Sequence, residues 1–211
     1  MRDKRSKTDQ EEFWAGEFGD AYVARNAGDK LAGSTVALFA TILARCPNLE
    51  SLTEFGSNFG QNLRAIRSLP PKVELDAVEI NDSAVKLLQA WGEVRRMHHH
   101  SILDFEPDRT WDAVPIKGVP IHNNPDYLPQ VYETIIRASK RYILLIEYFN
   151  PTPVEVEYRG HAGRLFKRDF AGEMLERYAS VSVVDYVFVW RHDPTFPLDD
   201  ANWFLLEKAT T

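Results

Sequence analysis

From Ser51 to Tyr148 the chain alternates short apolar runs with segments of helical spacing, and this alternation limits the possible folds more than any other feature. Residues 51–55, 73–80, 94–102, 111–117 and 141–148 read as strands, the third of them short. Residues 60–69, 83–91 and 126–138 read as helices, the last with Leu128, Val131, Tyr132, Ile135 and Ile136 on one face. Apolar strands separated by helices predict an α/β fold with a mostly parallel sheet covered on both sides. Ahead of them, Leu31, Thr35, Leu38, Phe39, Ile42 and Leu43 keep helical spacing until Cys46-Pro47, because a residue before proline is pushed out of the α region. Residues 1–26 read as a cap or lid, frayed over the first eight positions. Phe13, Trp14, Phe18 and Tyr22 then fall along a loosely amphipathic helix interrupted by Gly16 and Gly19. Beyond Asn150 the rhythm changes. Residues 150–168 read as an irregular loop insertion and 169–178 as a helix; 181–190 and 203–208 are closing strands with no helix between them, hence antiparallel.

The 211 residues fit one domain, and 44% hydrophobic with 27% charged residues is the composition of a chain with a core rather than a disordered one. A net charge of -6 argues against the broad basic surface that non-specific nucleic-acid binding needs. The longest apolar run, Tyr142 to Ile146, is far short of a membrane span, and the polar start of the chain does not read as a signal peptide. A single cysteine, Cys46, allows no internal disulfide and no cysteine-based zinc site, and fits a cytoplasmic location; it reads as a small buried hydrophobe. His98-His99-His100 does not read as a metal site, because adjacent strand residues alternate faces and cannot converge on one ion.

The chemistry is concentrated in Leu52-Thr53-Glu54-Phe55-Gly56-Ser57-Asn58-Phe59-Gly60, which puts an acid at the end of the first strand and glycines in the turn to the next helix. Glycine there permits positive φ and lets a ligand approach the backbone. Glu79 ends the next strand, where a carboxylate can accept both hydroxyls of a ribose. A dinucleotide fingerprint requires glycine where Asn58 stands, so a nicotinamide cofactor is disfavoured. A ligand with adenine and ribose but no phosphate, such as S-adenosylmethionine (SAM), does not require that glycine, and its positive sulfonium and amino group suit the nearby Glu54. Taken alone, such a loop is more often a plain glycine turn; the strand context and Glu79 tip the balance.

Together with Ser101-Ile102-Leu103-Asp104 and Trp111-Asp112-Ala113-Val114, these motifs resemble those of class I SAM-dependent methyltransferases across almost the whole chain. More narrowly, Phe13-Trp14-Ala15-Gly16-Glu17-Phe18-Gly19-Asp20, Glu147-Tyr148-Phe149-Asn150-Pro151-Thr152-Pro153-Val154, Tyr158-Arg159-Gly160-His161 and Leu165-Phe166-Lys167-Arg168-Asp169-Phe170 are similar to methylases associated with pseudaminic acid biosynthesis. The resemblance implies a Rossmann-like doubly wound seven-stranded sheet of order 3-2-1-4-5-7-6 with its last strand antiparallel. It also implies that Glu54, Gly56, Asn58 and Gly60 line the methionine part of SAM, Glu79 its ribose, Ser101 and Ile102 its adenine, and that Lys117 and Gly118 lie near the transferable methyl. Trp14, Tyr22, Arg25 and Asn26 are added as a lid, with Arg25 a candidate for the cofactor carboxylate. Simple helix packing is the competing reading for all four.

For the acceptor, His161 is the first candidate base, followed by Glu147 and His122. Tyr148, Asn150, Tyr158, Arg159, Lys167 and Arg168 are candidate acceptor contacts, the basic ones suited to a carboxylate or phosphate; a solvated loop is the plainer alternative. Pro115 and Pro120 predict a fourth strand that is short or distorted, since proline removes a ladder hydrogen bond. The function expected is SAM-dependent methylation of a small anionic acceptor, a hydroxyl of a nonulosonic or related sugar acid. Its rivals are O- or N-methylation of another metabolite, with S-adenosylhomocysteine (SAH) as product in each case, and a non-catalytic SAM-binding relative. Neither a nucleic acid nor a membrane is expected as partner.

Overall fold

In the computed structural model the described residues are 7–28, 32–70 and 72–209. Positions 1–6, where fraying is expected, and Leu31 lie outside them.

The expected cap helix is two helices, α1 (Asp9–Ala15) and α2 (Glu17–Asn26), broken at Gly16. Thr8 and Glu11 close a capping box at the start of α1, which fixes where the helix begins. After α3 (Ala32–Leu43) come β1 (Ser51–Phe55), α4 (Gln61–Arg67), β2 (Glu74–Glu79), α5 (Asp82–Trp91), β3 (Arg96–His99) and β4 (Trp111–Lys117). Two short 3-10 turns, Pro120–His122 and Pro125–Tyr127, lead into α6 (Leu128–Ala138) and β5 (Ser139–Glu147). The chain ends with β6 (Val154–Tyr158), β7 (His161–Lys167), α7 (Phe170–Arg177), β8 (Val181–Val189) and β9 (Ala201–Lys208).

The main sheet has seven strands in the order β3-β2-β1-β4-β5-β9-β8. Pairing from β3 through β5 is parallel, while β9 is antiparallel to both β5 and β8. With β6 and β7 set aside, this is the expected topology. Those two strands correct the reading of residues 150–168, which form a separate antiparallel hairpin turning at Arg159 and Gly160.

Each central strand feeds two cores, as alternating side chains require. From β5, Leu144 and Ile146 join Phe39, Ile42, Leu63 and Leu88 from α3, α4 and α5 on one side. Ile143 and Leu145 join Val131, Ile135 and Met174 from α6 and α7 on the other. Full burial of each aliphatic side chain of this kind contributes about 2 kcal/mol.

The prolines do not truncate the fourth strand. Pro115 lies inside β4 and stays in register with Leu144 of β5. Toward β1 the matched pairs are Leu52↔Ala113 and Phe55↔Ile116, with none at Pro115, so the missing N–H is absorbed on that side. Pro120 falls at the first position of a 3-10 turn, where a backbone donor has no partner to lose.

Candidate functional site

At the C-terminal ends of the parallel strands lies a cavity of about 490 Å³, the size range of small-molecule sites. Its floor begins with the turn after β1. Gly56 donates its N–H to Val78 O at 2.9 Å and has φ +70°, and a Cβ there would overlap the Val119 methyl. Asn58 has φ +49°, a left-handed conformation that asparagine tolerates better than most side chains, and it caps the N–H of Phe59 with its own Oδ1 at 2.7 Å. Glu79, at the end of β2, clasps this turn: its carboxylate accepts from Asn58 N at 2.7 Å and from Asn81 N at 2.7 Å.

The roof comes from two segments far apart in sequence. In α1, Glu11 accepts from the Ser101 hydroxyl next to β3, and Gln10 Nε2 donates to Gly163 O of β7 at 3.0 Å. Asn81 Nδ2 reaches back to Trp14 O at 3.2 Å and Asp20 Oδ1 at 3.1 Å, tying the α1–α2 junction to the end of β2. The indole of Trp14 packs 4.6 Å from the His122 ring and 6.1 Å from Tyr158, centroid to centroid. His122 and Tyr158 are themselves 4.8 Å apart.

Most of the residues expected to hold a cofactor meet here: Trp14, Tyr22, Asn26, Gly56, Asn58, Glu79, Ser101, Ile102, Lys117 and Gly118 all line the cavity. Three do not. Glu54 lies fully buried behind the wall, where Oε1 accepts from Asn62 Nδ2 at 2.6 Å. Gly60, at φ +86°, serves helix packing, because a Cβ would sit 2.6 Å from Leu88 Cδ2. Arg25 is turned to solvent over the rings of Phe18 and Tyr22, at 5.7 and 5.9 Å.

The acceptor candidates divide in the same way. His122, Glu147, Tyr148, Tyr158 and Arg159 line the cavity. His161 does not; it is exposed and packs edge-on against Phe13 at 5.0 Å and Phe18 at 5.5 Å. Lys167 lies 5.2 Å over the Tyr148 ring, and Asn150 donates to Thr152 O at 2.5 Å. Arg168 is paired with Glu173 at 2.5 Å in a separate shallow depression next to α6 and α7. The hairpin therefore presents its turn, and not its whole basic run, to the cavity.

No protein-family model matches the sequence, and no curated protein matches it at a significant level. Solved structures do match. Magnesium protoporphyrin IX methyltransferase from Synechocystis PCC 6803 with bound SAH superposes with a TM-score of 0.71 at 13% identity, over 97% of this chain and 100% of that one. The 1,6-didemethyltoxoflavin-N1-methyltransferase of Burkholderia thailandensis gives 0.68 at 16% identity, over 95% and 87%. An amino pentose methyltransferase from Micromonospora echinaspora with bound SAM gives 0.62 at 12% identity, over 91% and 96%. The fold is that of the SAM-dependent methyltransferases.

Within this methyltransferase fold, the charges of the site are mostly buried. Burial raises the carboxyl groups of Glu54, to about 7, of Glu79, and most strongly of Glu147. Glu147 Oε1 accepts from Val119 N at 3.0 Å, so this residue holds the turn after β4. Burial also lowers the Lys117 ammonium, against the pull of Glu54, Asp199 and Glu147. His122 is pushed down to about 4 by desolvation and is neutral at pH 7. Its Nδ1 lies 2.5 Å from Arg164 O. A carbonyl oxygen only accepts, so Nδ1 carries the proton and Nε2 is the unprotonated nitrogen.

Sequence reasoning missed Asp199, in the loop between β8 and β9, which lines the cavity and forms a hydrogen bond with Tyr148. It also missed Asn62, Asn81 and Gln10. The α4 residues follow the glycine turn directly, so Asn62 was findable as a polar residue in the first turn of that helix. Asp199 stands in an irregular loop with no periodicity to read. Among the described residues, no His, Cys, Asp or Glu group is arranged to hold a metal ion, and no helix is long and apolar enough to cross a membrane.

Proposed function

We propose that this chain is a SAM-dependent methyltransferase whose acceptor is a small anionic molecule, a hydroxyl-bearing nonulosonic or related sugar acid. The observation that carries the reading is the cavity at the strand ends, which joins the Glu79-clasped turn to an aromatic pocket holding a neutral histidine. The residues present fit the cofactor. The Glu79 carboxylate accepts backbone bonds from Asn58, Asn81 and Ile80, which leaves it acceptor capacity for a ribose hydroxyl, and Ser101 and Ile102 stand beside the end of β3. SAM, when bound, supplies an activated methyl group. The chain's part is to align the acceptor and to exclude water, the task of the roof formed by Trp14, Tyr22 and Tyr158.

His122 replaces His161 as the base in this reading, because Nε2 is free to take the acceptor's proton while Nδ1 is fixed by Arg164 O. Arg159 is the anion anchor. It holds φ +52° at a hairpin turn, where Asn, Asp or Gly is favoured, and it lines the cavity. Such a local departure is what a functional side chain produces. Arg159→Ala should raise KM for an anionic acceptor by roughly tenfold or more, the value of a charge-assisted hydrogen bond, with SAM affinity unchanged. An unaltered KM would turn this side chain back to solvent.

N-methylation of an amine is the second reading, favoured by Asp199 at the same end of the cavity. Acceptor-dependent release of SAH from a panel of sugar acids and amines separates the two. The first test is calorimetric binding of SAM and SAH, with NAD as control. Glu79→Ala should weaken SAM by about 1–3 kcal/mol. Tight NAD binding, or SAM affinity indifferent to Glu79, would overturn the cofactor assignment.

A further inference from the structure

The acid at the end of β1 poses a problem of hydrogen bonding. Glu54 is fully buried; one oxygen accepts from Asn62 Nδ2 at 2.6 Å, and the other, Oε2, is buried with no partner. Asn62 Oδ1 is also buried with no partner. An ionised carboxylate cannot satisfy either atom, because both are acceptors, and orphaned buried acceptors are costly. A proton on Oε2 shared with Oδ1 would satisfy both atoms, and the Nδ2–Oε1 bond already holds the two groups side by side. A carboxylic acid and a primary amide are complementary in this way.

We propose that in the empty cavity Glu54 is a neutral acid sharing its proton with the amide of Asn62, and that a cationic ligand entering beside Asn62 expels that proton to solvent. The charged groups that bear on Glu54 are Lys117 from β4, which favours ionisation, and Glu79 from β2, which opposes it; Glu147 from β5 in turn holds part of the Lys117 field. Desolvation outweighs these and sets the empty-site group near neutrality, so a single added positive charge is enough to change its state. Asn62 lines the cavity, so the pair is in contact with whatever occupies it. The inference takes the identity of the cation, SAM, from the proposed function; the protonated pair itself does not depend on it.

Two measurements test the two parts separately. Infrared difference spectra of wild type minus Glu54→Gln, without ligand at pH 6, should show a carboxylic-acid carbonyl band that disappears as pH rises through about 7. Glu54→Gln keeps the shape and the hydrogen bonds of the neutral acid, so it should fold; a spectrum without that band overturns the protonated pair. Calorimetry at pH 6 in buffers of different ionisation enthalpy should then give about one proton released per SAM bound by wild type, little by Glu54→Gln, and less for SAH, whose sulfur is uncharged. Equal release by SAM and SAH, or by both proteins, overturns the expulsion step. Absence of SAM binding with the infrared band intact would refute the proposed cofactor and leave the acid–amide pair standing.

Discussion

Gly19→Ala should release the N-terminal cap from the domain. A Cβ at this position would overlap the carbonyl oxygen of Trp14 and lie 2.8 Å from both Trp14 C and Asn81 Nδ2. Backbone atoms of the α1–α2 junction cannot step aside without breaking the bond from Asn81 to Trp14 O. Overpacking against backbone costs about 3 kcal/mol. The cap is a peripheral layer, so the cost should appear as local opening rather than loss of the fold. Limited proteolysis should cut within residues 7–28 of the variant while the sheet stays resistant, and SAM affinity should fall because Trp14, Tyr22 and Asn26 leave the cavity together. Wild-type protease resistance of that segment would show that the junction tolerates a methyl group.

The second large effect is kinetic. His122→Ala should reduce turnover by about 10²–10⁴-fold, the usual contribution of a positioned base, and leave SAM affinity within about twofold. The pH profile gives an independent check. A base works unprotonated, and burial lowers this imidazole to about 4, so wild-type kcat/KM should not fall until acidification approaches that value. A histidine at its ordinary value would produce an acid limb near 6.5 instead. A variant with full activity would indicate an acceptor that needs no base, as a neutral amine does not.

The parts of the fold that follow periodicity were legible. Apolar strands alternating with helices predicted the sheet, and the absence of a helix before the last strand predicted the antiparallel β9. The hairpin was harder to see. Val154, Val156 and Tyr158 alternate with Glu155 and Glu157, a strand pattern, but Pro151 and Pro153 come just before it and the turn is Arg-Gly, without the Asn or Asp that usually marks such turns. Within the site, the glycine turn and Glu79 were legible because backbone geometry dictates their residue types. Which of the basic residues faces inward was not, because strand alternation and the direction of the turn decide it: Arg159 reaches the cavity, while Arg168 pairs with Glu173. On α2, Gly19, Tyr22, Val23 and Asn26 share the inward face at helical spacing, and Arg25 falls on its flank.

Pro115 has an effect beyond its own strand. The ladder between β1 and β4 is interrupted at that residue, whereas those from β1 to β2 and from β4 to β5 run unbroken past it. The sheet therefore consists of two leaves that meet along a seam where the ladder lapses beside Pro115 and where, lower down, Asp112 accepts from Glu50 N and Ser51 N. One leaf, β1 to β3, carries the Glu79-clasped turn; the other, β4, β5, β9 and β8, carries Lys117, Glu147 and the approach to Asp199. Because the cavity straddles the seam, each half of the site rests on its own leaf, and the two cores, which both run across the join, tie those halves together.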